Sequence, residues 1–214
     1  MRRDLLEMRR ALLPGVVSDS GIALARRTLE LDELRAVSGT AAEDGGEKPS
    51  GAPLPIAALT VAAYVSIGYE PSTHELLDRL HEAGVRVLLP VLLPDNDLDW
   101  AAYEGAAHLL PAARGLLEPD GPRLGPEAVT GADVVLLPGL AVDGRGLRLG
   151  RGGGSYDRVL ARLERAGADP ALVVLLYDAE VLESVPVEPH DRHVHAAVTP
   201  SAVHRFARAE GLGP

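Results

Sequence analysis

No cysteine occurs among the 214 residues. That absence removes disulfides, thiolate metal sites and a cysteine nucleophile together. Lysine is almost missing as well: Lys48 is the only one, and it sits in a polar segment. A Walker A loop needs Gly-Lys-Ser/Thr and is therefore excluded, as is most lysine chemistry such as Schiff-base formation. Long hydrophobic runs are lacking too. The longest, around Ile56 to Ile67, is too short to span a bilayer, and no basic-then-apolar signal opens the chain. Positive charge is outnumbered, 21 Lys and Arg against 31 Asp and Glu, for a net charge of −10. That balance argues against a broad nucleic-acid footprint, and any anionic ligand must be held by local arginines. The expectation is a cytoplasmic protein with neither a nucleic-acid nor a membrane partner. Its length predicts a single domain, residues 1–214, with a substantial core.

What is abundant is glycine in one place. In DGRGLRLGRGGGSYDR (143–158), Gly144, Gly146, Gly150, Gly152, Gly153 and Gly154 are interspersed with Arg145, Arg148 and Arg151. A helical stripe of Tyr156, Val159, Leu160 and Leu163 follows at once, with Ser155 as the expected N-cap and Gly167 as the stop. Glycines let backbone N–H groups turn toward one point, and a helix N-terminus favours an anion there. Arginine adds donors matched to phosphate oxygens. The alternative is a surface turn with solvated arginines, which needs one or two glycines rather than a run. The loop is not a Rossmann GxGxxG either, because counting from Gly150 the sixth position is Ser155.

Around this loop the chain reads as alternating α/β. Two helices (2–13 and 19–37) are expected to be interrupted at Pro14-Gly15, the first with a basic face of Arg2, Arg3, Arg9 and Arg10 that is either solvated or ligand-binding. Residues 38–55 are polar, rich in Gly and Pro, and read as a mobile loop. Strands follow at 56–67, 85–93, 132–138 and 171–178, then a short one at 196–200. Helices are expected at 73–83, 155–166 and from Ser201 onward. Continuous apolar strands alternating with helices predict a mainly parallel sheet covered on both faces, with ligands beyond the carboxyl ends of its strands. Glu70 and the glycine loop both fall there. Glu70 could equally be an ordinary acidic residue ahead of a helix, and Asp157 a simple first-turn aspartate. His190, His193 and His195 lack a further ligating segment for zinc. Asp191, in the same stretch, could join Asp157 and phosphate oxygens around Mg²⁺, which prefers oxygen ligands.

RLGRGGGSYDR (148–158) resembles the glycine-rich signature of the 5-formyltetrahydrofolate cyclo-ligases, also called methenyltetrahydrofolate synthetases. GYEPSTHELL, VRVLLPVLL, DVVLLPGLAVDGRG and VPVEPHD…AAVT resemble further family segments in the family's order, so the likeness covers essentially the whole chain. The resemblance implies a three-layer α/β/α sandwich. It also implies an ATP- and Mg²⁺-dependent ring closure of 5-formyltetrahydrofolate to 5,10-methenyltetrahydrofolate, with ADP and phosphate released. The formyl oxygen is a poor leaving group, so N10 cannot close the ring until that oxygen is phosphorylated. Such a transfer asks for positioning and charge neutralisation rather than a covalent nucleophile.

By position, the resemblance implies that Arg2, Arg148, Leu149, Gly150, Arg151, Gly152, Gly153, Gly154, Ser155 and Tyr156 contact ATP, with Arg151 and Arg148 catalytic. Residues from Arg151 to Ser155 also face the folate, Glu70 holds the pterin and Val65 lines its pocket. Asp157 and Asp191 ligate Mg²⁺. The expected partners are small molecules only, and the expected state is a monomer. Many members carry Tyr-Tyr-Asp where this chain has Ser155-Tyr156-Asp157, and some carry a lysine at the place of Gly153, so Arg151 or Arg148 must supply that charge. The family also usually has a lysine four residues before the helix arginine. That position would precede Met1, and the expectation is a native start several residues upstream. Competing readings are a sugar-phosphate isomerase on a similar scaffold and a relative that binds nucleotide or folate without turnover.

Overall fold

Two helices open the chain, α1 (Arg2–Arg10) and α2 (Pro14–Leu29), in a computed structural model that describes residues 1–34, 59–187 and 192–206. Pro14 does not interrupt a helix as its sequence context implies; it begins one. At the first helical position its missing N–H has no intrahelical partner to lose. The helix expected at 19–37 therefore starts earlier and ends at Leu29. The segment 38–55, read above as a loop, lies outside the described residues.

The apolar runs form β1 (Thr60–Ala62), α3 (His74–Glu82), β2 (Arg86–Leu92) and β3 (Leu98–Ala102). A small hairpin of β4 (Leu109–Pro111) and β5 (Leu117–Pro119) follows, then β6 (Val134–Pro138), β7 (Ala141–Asp143) and β8 (Arg148–Leu149). The chain continues through α4 (Ser155–Arg165), β9 (Ala171–Leu175), β10 (Val181–Leu182), β11 (Ala196–Val198) and β12 (Val203–Arg205). The expected final helix from Ser201 is corrected here: Val203–Arg205 pair antiparallel with β11 as an edge strand.

The main sheet has seven strands in the order β12-β11-β9-β6-β1-β2-β3. Its interior pairings are parallel, and both edge strands are antiparallel. Period-two alternation divides the core. Val134 and Leu136 pack with Leu24 of α2 and Leu76, Leu77 and Leu80 of α3. Val135 and Leu137 pack with Val159, Leu160 and Leu163 of α4. The result is the expected three-layer α/β/α arrangement.

Pro90 inside β2 is tolerated for a local reason. Leu88 turns its carbonyl toward β1, accepting the Ala63 N–H at 2.9 Å. Pro90, two residues on, faces the same side beyond the end of β1, where no ladder partner waits.

A second sheet, β10-β7-β8, carries α1. Leu5 packs there against Leu140, Ala141, Leu147 and Leu149. Arg9 completes the attachment and is only 3% exposed. Its guanidinium donates to both carboxylate oxygens of buried Glu180, at 2.6 and 2.8 Å, and to the Gly139 carbonyl at 2.7 Å. It also lies 5.7 Å from the Tyr177 ring centroid, within cation–π reach. Burial alone would lower the Arg9 pKa, but the hydrogen bond and charge of Glu180 outweigh it and raise the value. The basic face of the first helix is thus not uniformly solvated.

The strand order reverses between β1 and β6: the chain goes from β1 outward to β2, then returns to place β6 on the other side. Open α/β sheets bind ligands at such a reversal, beyond the strands' carboxyl ends.

Candidate active site

β1 spans three residues, and the rest of the run expected as a strand (63–67) continues as irregular backbone over the crevice. Thr73 fixes its course. Its hydroxyl donates to the Tyr64 carbonyl at 2.8 Å and accepts the Ser66 N–H at 2.9 Å, while its own N–H donates to the Ser66 hydroxyl at 3.1 Å. This clamp presents Tyr64, Val65 and Glu70 to one wall of a pocket of about 350 Å³.

The opposite wall comes from the chain after β6. Gly139 leaves the sheet so close to β9 that an added Cβ would lie 2.7 Å from Val174 Cγ2 and 3.4 Å from the Arg148 side chain. A larger residue would push into the arginine that the site uses. The glycine run then reaches α4 through Gly154, whose φ of +77° is the left-handed region that glycine enters without strain. Gly154, not Ser155, is the N-cap; Ser155 is the first helical residue, and no side chain caps the α4 terminus. The first N–H groups of α4 therefore have no side-chain cap.

Most residues singled out from the sequence meet here. Val65, Glu70, Arg148, residues 150–157 and thus Arg151, Tyr156 and Asp157 all line the pocket. Arg2 does not line it but donates from Nε to the Gly150 carbonyl at 3.0 Å, tying α1 to the loop. Leu149 is buried and packs into the cluster under α1. Asp191 and His190 lie outside the described residues. His193 and His195 are engaged by the backbone: His195 Nδ1 accepts the Leu172 N–H at 2.9 Å, and His193 Nδ1 lies 2.8 Å from the Arg145 carbonyl.

Charge in the pocket is arranged in pairs. Glu70, 8% exposed, accepts the Ile67 N–H at 3.0 Å and a guanidinium N–H of Arg151 at 3.1 Å. Arg148 donates to the Pro138 carbonyl at 3.0 Å and to Asp157 at 3.1 Å. Burial first, and the Glu70 charge second, push the Tyr64 and Tyr156 phenols well above their usual pKa. Both therefore stand as neutral hydroxyls beside the carboxylate.

The residues that sequence reading missed form the apolar side: Pro90, Leu92, Leu98, Leu116 and Leu117, with Arg114 at the rim. They come from two hairpins: the β4–β5 strands are too short to show a period, and the β2 strand, though expected, gives no sign in sequence that its end faces the pocket.

The sequence model of the 5-formyltetrahydrofolate cyclo-ligase family matches residues 56–200. The chain belongs to the 5-formyltetrahydrofolate cyclo-ligase family. It is 41% identical over 181 residues to the 5-formyltetrahydrofolate cyclo-ligase of Mycolicibacterium smegmatis, covering 81% of this chain and 91% of that one. The Escherichia coli K12 cyclo-ligase is 35% identical over 150 residues, 69% of this chain and 81% of its own. With that coverage, the protein is an enzyme of the cyclo-ligase family. Its fold agrees with the NMR structure of Aquifex aeolicus 5,10-methenyltetrahydrofolate synthetase, at a TM-score of 0.73 and 24% identity over 100% of this chain and 94% of that one. The Mycoplasma pneumoniae synthetase matches at 0.63 and 17% identity, over 93% and 96%. The glycine run lies within the matched residues. Among the described residues, no helix is long and apolar enough to cross a membrane.

Proposed function

We propose that this pocket binds ATP and 5-formyltetrahydrofolate together, phosphorylates the formyl oxygen and closes the ring to 5,10-methenyltetrahydrofolate. The observation that carries this reading is the Arg151–Glu70 contact at 3.1 Å. It joins the anion-suited glycine loop to the buried carboxylate suited to a pterin, across one cavity. A pterin offers adjacent N–H donors, and a carboxylate accepts two of them side by side.

In this reading Arg148, held on the Pro138 carbonyl, keeps its guanidinium aimed at the phosphates, while Arg151 meets the charge that develops on the transferring phosphoryl group. Tyr64 and Tyr156, as neutral phenols, line the folate side without adding negative charge. The leucine wall excludes water from the O-phosphorylated formyl group, an iminium phosphate that water would otherwise hydrolyse before N10 displaces the phosphate. A divalent cation fits the donors present. Of the carboxylates on the described pocket wall, Glu70 is buried and committed, whereas Asp157 is 45% exposed at the pocket edge. One exposed carboxylate plus phosphate oxygens and water suits Mg²⁺, which would neutralise phosphate charge when bound. Asp157, with Asp191, is assigned to hold it.

The test is ATP consumption with and without 5-formyltetrahydrofolate, following methenyltetrahydrofolate by its absorbance. Strict mutual dependence is expected. Isomerisation of a sugar phosphate without ATP, or binding without turnover, would replace this reading.

Two substitutions probe the roles. Glu70→Gln is expected to raise the 5-formyltetrahydrofolate KM much more than the ATP KM, since an amide cannot accept two N–H donors as a carboxylate does. Equal rises in both would make Glu70 a support for the loop. Asp157→Asn is expected to raise the Mg²⁺ concentration needed for half-maximal rate, with folate binding hardly changed. A titration curve identical to that of the parent protein removes Asp157 from the metal site and leaves it a first-turn aspartate, worth about 0.3–1 kcal/mol to the helix.

A further inference from the structure

Two residues other than glycine adopt positive φ among the described residues, Asn96 at 66° and Arg114 at 60°. Side chains rarely accept that conformation, and where they do the surroundings hold them there. These two are bonded to each other: Arg114 donates to the Asn96 side-chain carbonyl at 2.8 Å. Asn96 sits in the turn between β2 and β3, Arg114 at the tip between β4 and β5. The hydrogen bond thus ties two hairpin tips together at the rim of the pocket that Arg114 lines.

The electrostatics there differ from the rest of the site. Arg148 and Arg151 each face a protein carboxylate, Asp157 and Glu70. Arg114 has only the neutral amide of Asn96 and no carboxylate partner among the described residues. A fixed guanidinium without a counter-charge, in a protein of net charge −10, is an anion subsite. Its approach is apolar, through Leu92, Leu98, Leu116 and Leu117. The ligand that fits is an aromatic ring ending in carboxylates.

Resting on the folate reading above, we infer that Arg114 binds the glutamate carboxylates of 5-formyltetrahydrofolate, with the aminobenzoyl ring against the leucine wall. The strained hairpin tip presets the arginine, so that little side-chain freedom is lost on binding. Arg114 is then a determinant of substrate specificity and not of the chemistry.

The experiment compares the full chain with Arg114→Ala and Arg114→Lys. It uses 5-formyltetrahydrofolate and its glutamate diamide, in which both carboxylates are neutral. The parent protein is expected to show a KM about tenfold lower for the acid than for the diamide, as for one charge-assisted contact. Arg114→Ala should lose that preference, with kcat and the ATP KM within twofold of the parent, and Arg114→Lys should recover part of it. An acid preference that survives in Arg114→Ala overturns the inference while leaving the cyclo-ligase reading intact. A rise confined to the ATP KM also overturns it and places a phosphate at Arg114. Absence of turnover in the parent protein itself removes the folate reading, and the inference falls with it.

Discussion

Arg151→Ala is expected to lower kcat/KM by roughly two to three powers of ten, about 3–4 kcal/mol, as for a lost donor to transition-state charge. The side chain is 47% exposed and donates to Glu70. Solvent screens the exposed arginine side of this pair, and buried Glu70 keeps the Ile67 N–H as a donor, so the contact adds little to folding. The thermal midpoint should therefore stay nearly constant while the rate collapses, which separates a reactive role from a structural one. Arg151→Lys should regain part of the rate, because it restores a charge without the two-pronged geometry. A loss below tenfold at an unchanged midpoint would remove Arg151 from the reaction and shift the load to Arg148.

The second large effect concerns stability. Arg9→Met leaves the Glu180 carboxylate buried with its cation gone, and breaking a buried pair in this way costs about 3–5 kcal/mol. For a domain of this size that corresponds to a fall in the melting midpoint of roughly 6–20 °C. The paired replacement Arg9→Met with Glu180→Leu should recover most of the loss, since two packed apolar side chains need no counter-charge. Calorimetry of the three proteins decides it. If the double variant melts as low as the single one, the bond from Arg9 to the Gly139 carbonyl and its contact with the Tyr177 ring, and not the ion pair, hold α1 in place.

How much of this was legible beforehand follows from range along the chain. Gly150 to Gly154, Tyr156 and Asp157 lie within eight consecutive residues, so their convergence is nearly local. The α/β alternation needs only a strand or a helix to show itself, and it placed the switch-point loops correctly. Arg9 was unreadable for the opposite reason: its partner lies 171 positions away, and a basic residue on an amphipathic helix looks solvated until that partner is found. Arg114, Leu116 and Leu117 come from a three-residue strand and the turn before it, shorter than any periodicity, whereas Leu92 lies at the end of a strand that was expected, its place on the pocket wall set by the pairing of β2 with β3. The edge strand Val203–Arg205 failed likewise, because pairing to β11 overrides a weak local preference. Ser155 was misplaced by one residue, since a left-handed glycine ahead of it does the terminating work that a hydroxyl otherwise performs.

The pairing of Arg148 with Asp157 and of Arg151 with Glu70 has a consequence for how substrates arrive. Neither arginine waits as a bare charge holding a mobile ion from solution. An incoming phosphate or pterin swaps partners with a carboxylate already in place, so little salt is released from the site. Binding at these two positions should respond only weakly to ionic strength, whereas at longer range the chain's net charge of −10 repels an anionic substrate until salt screens it. If ATP binds as proposed, added salt is expected to ease its approach more than it loosens its grip, the reverse of what an arginine-lined cleft ordinarily shows.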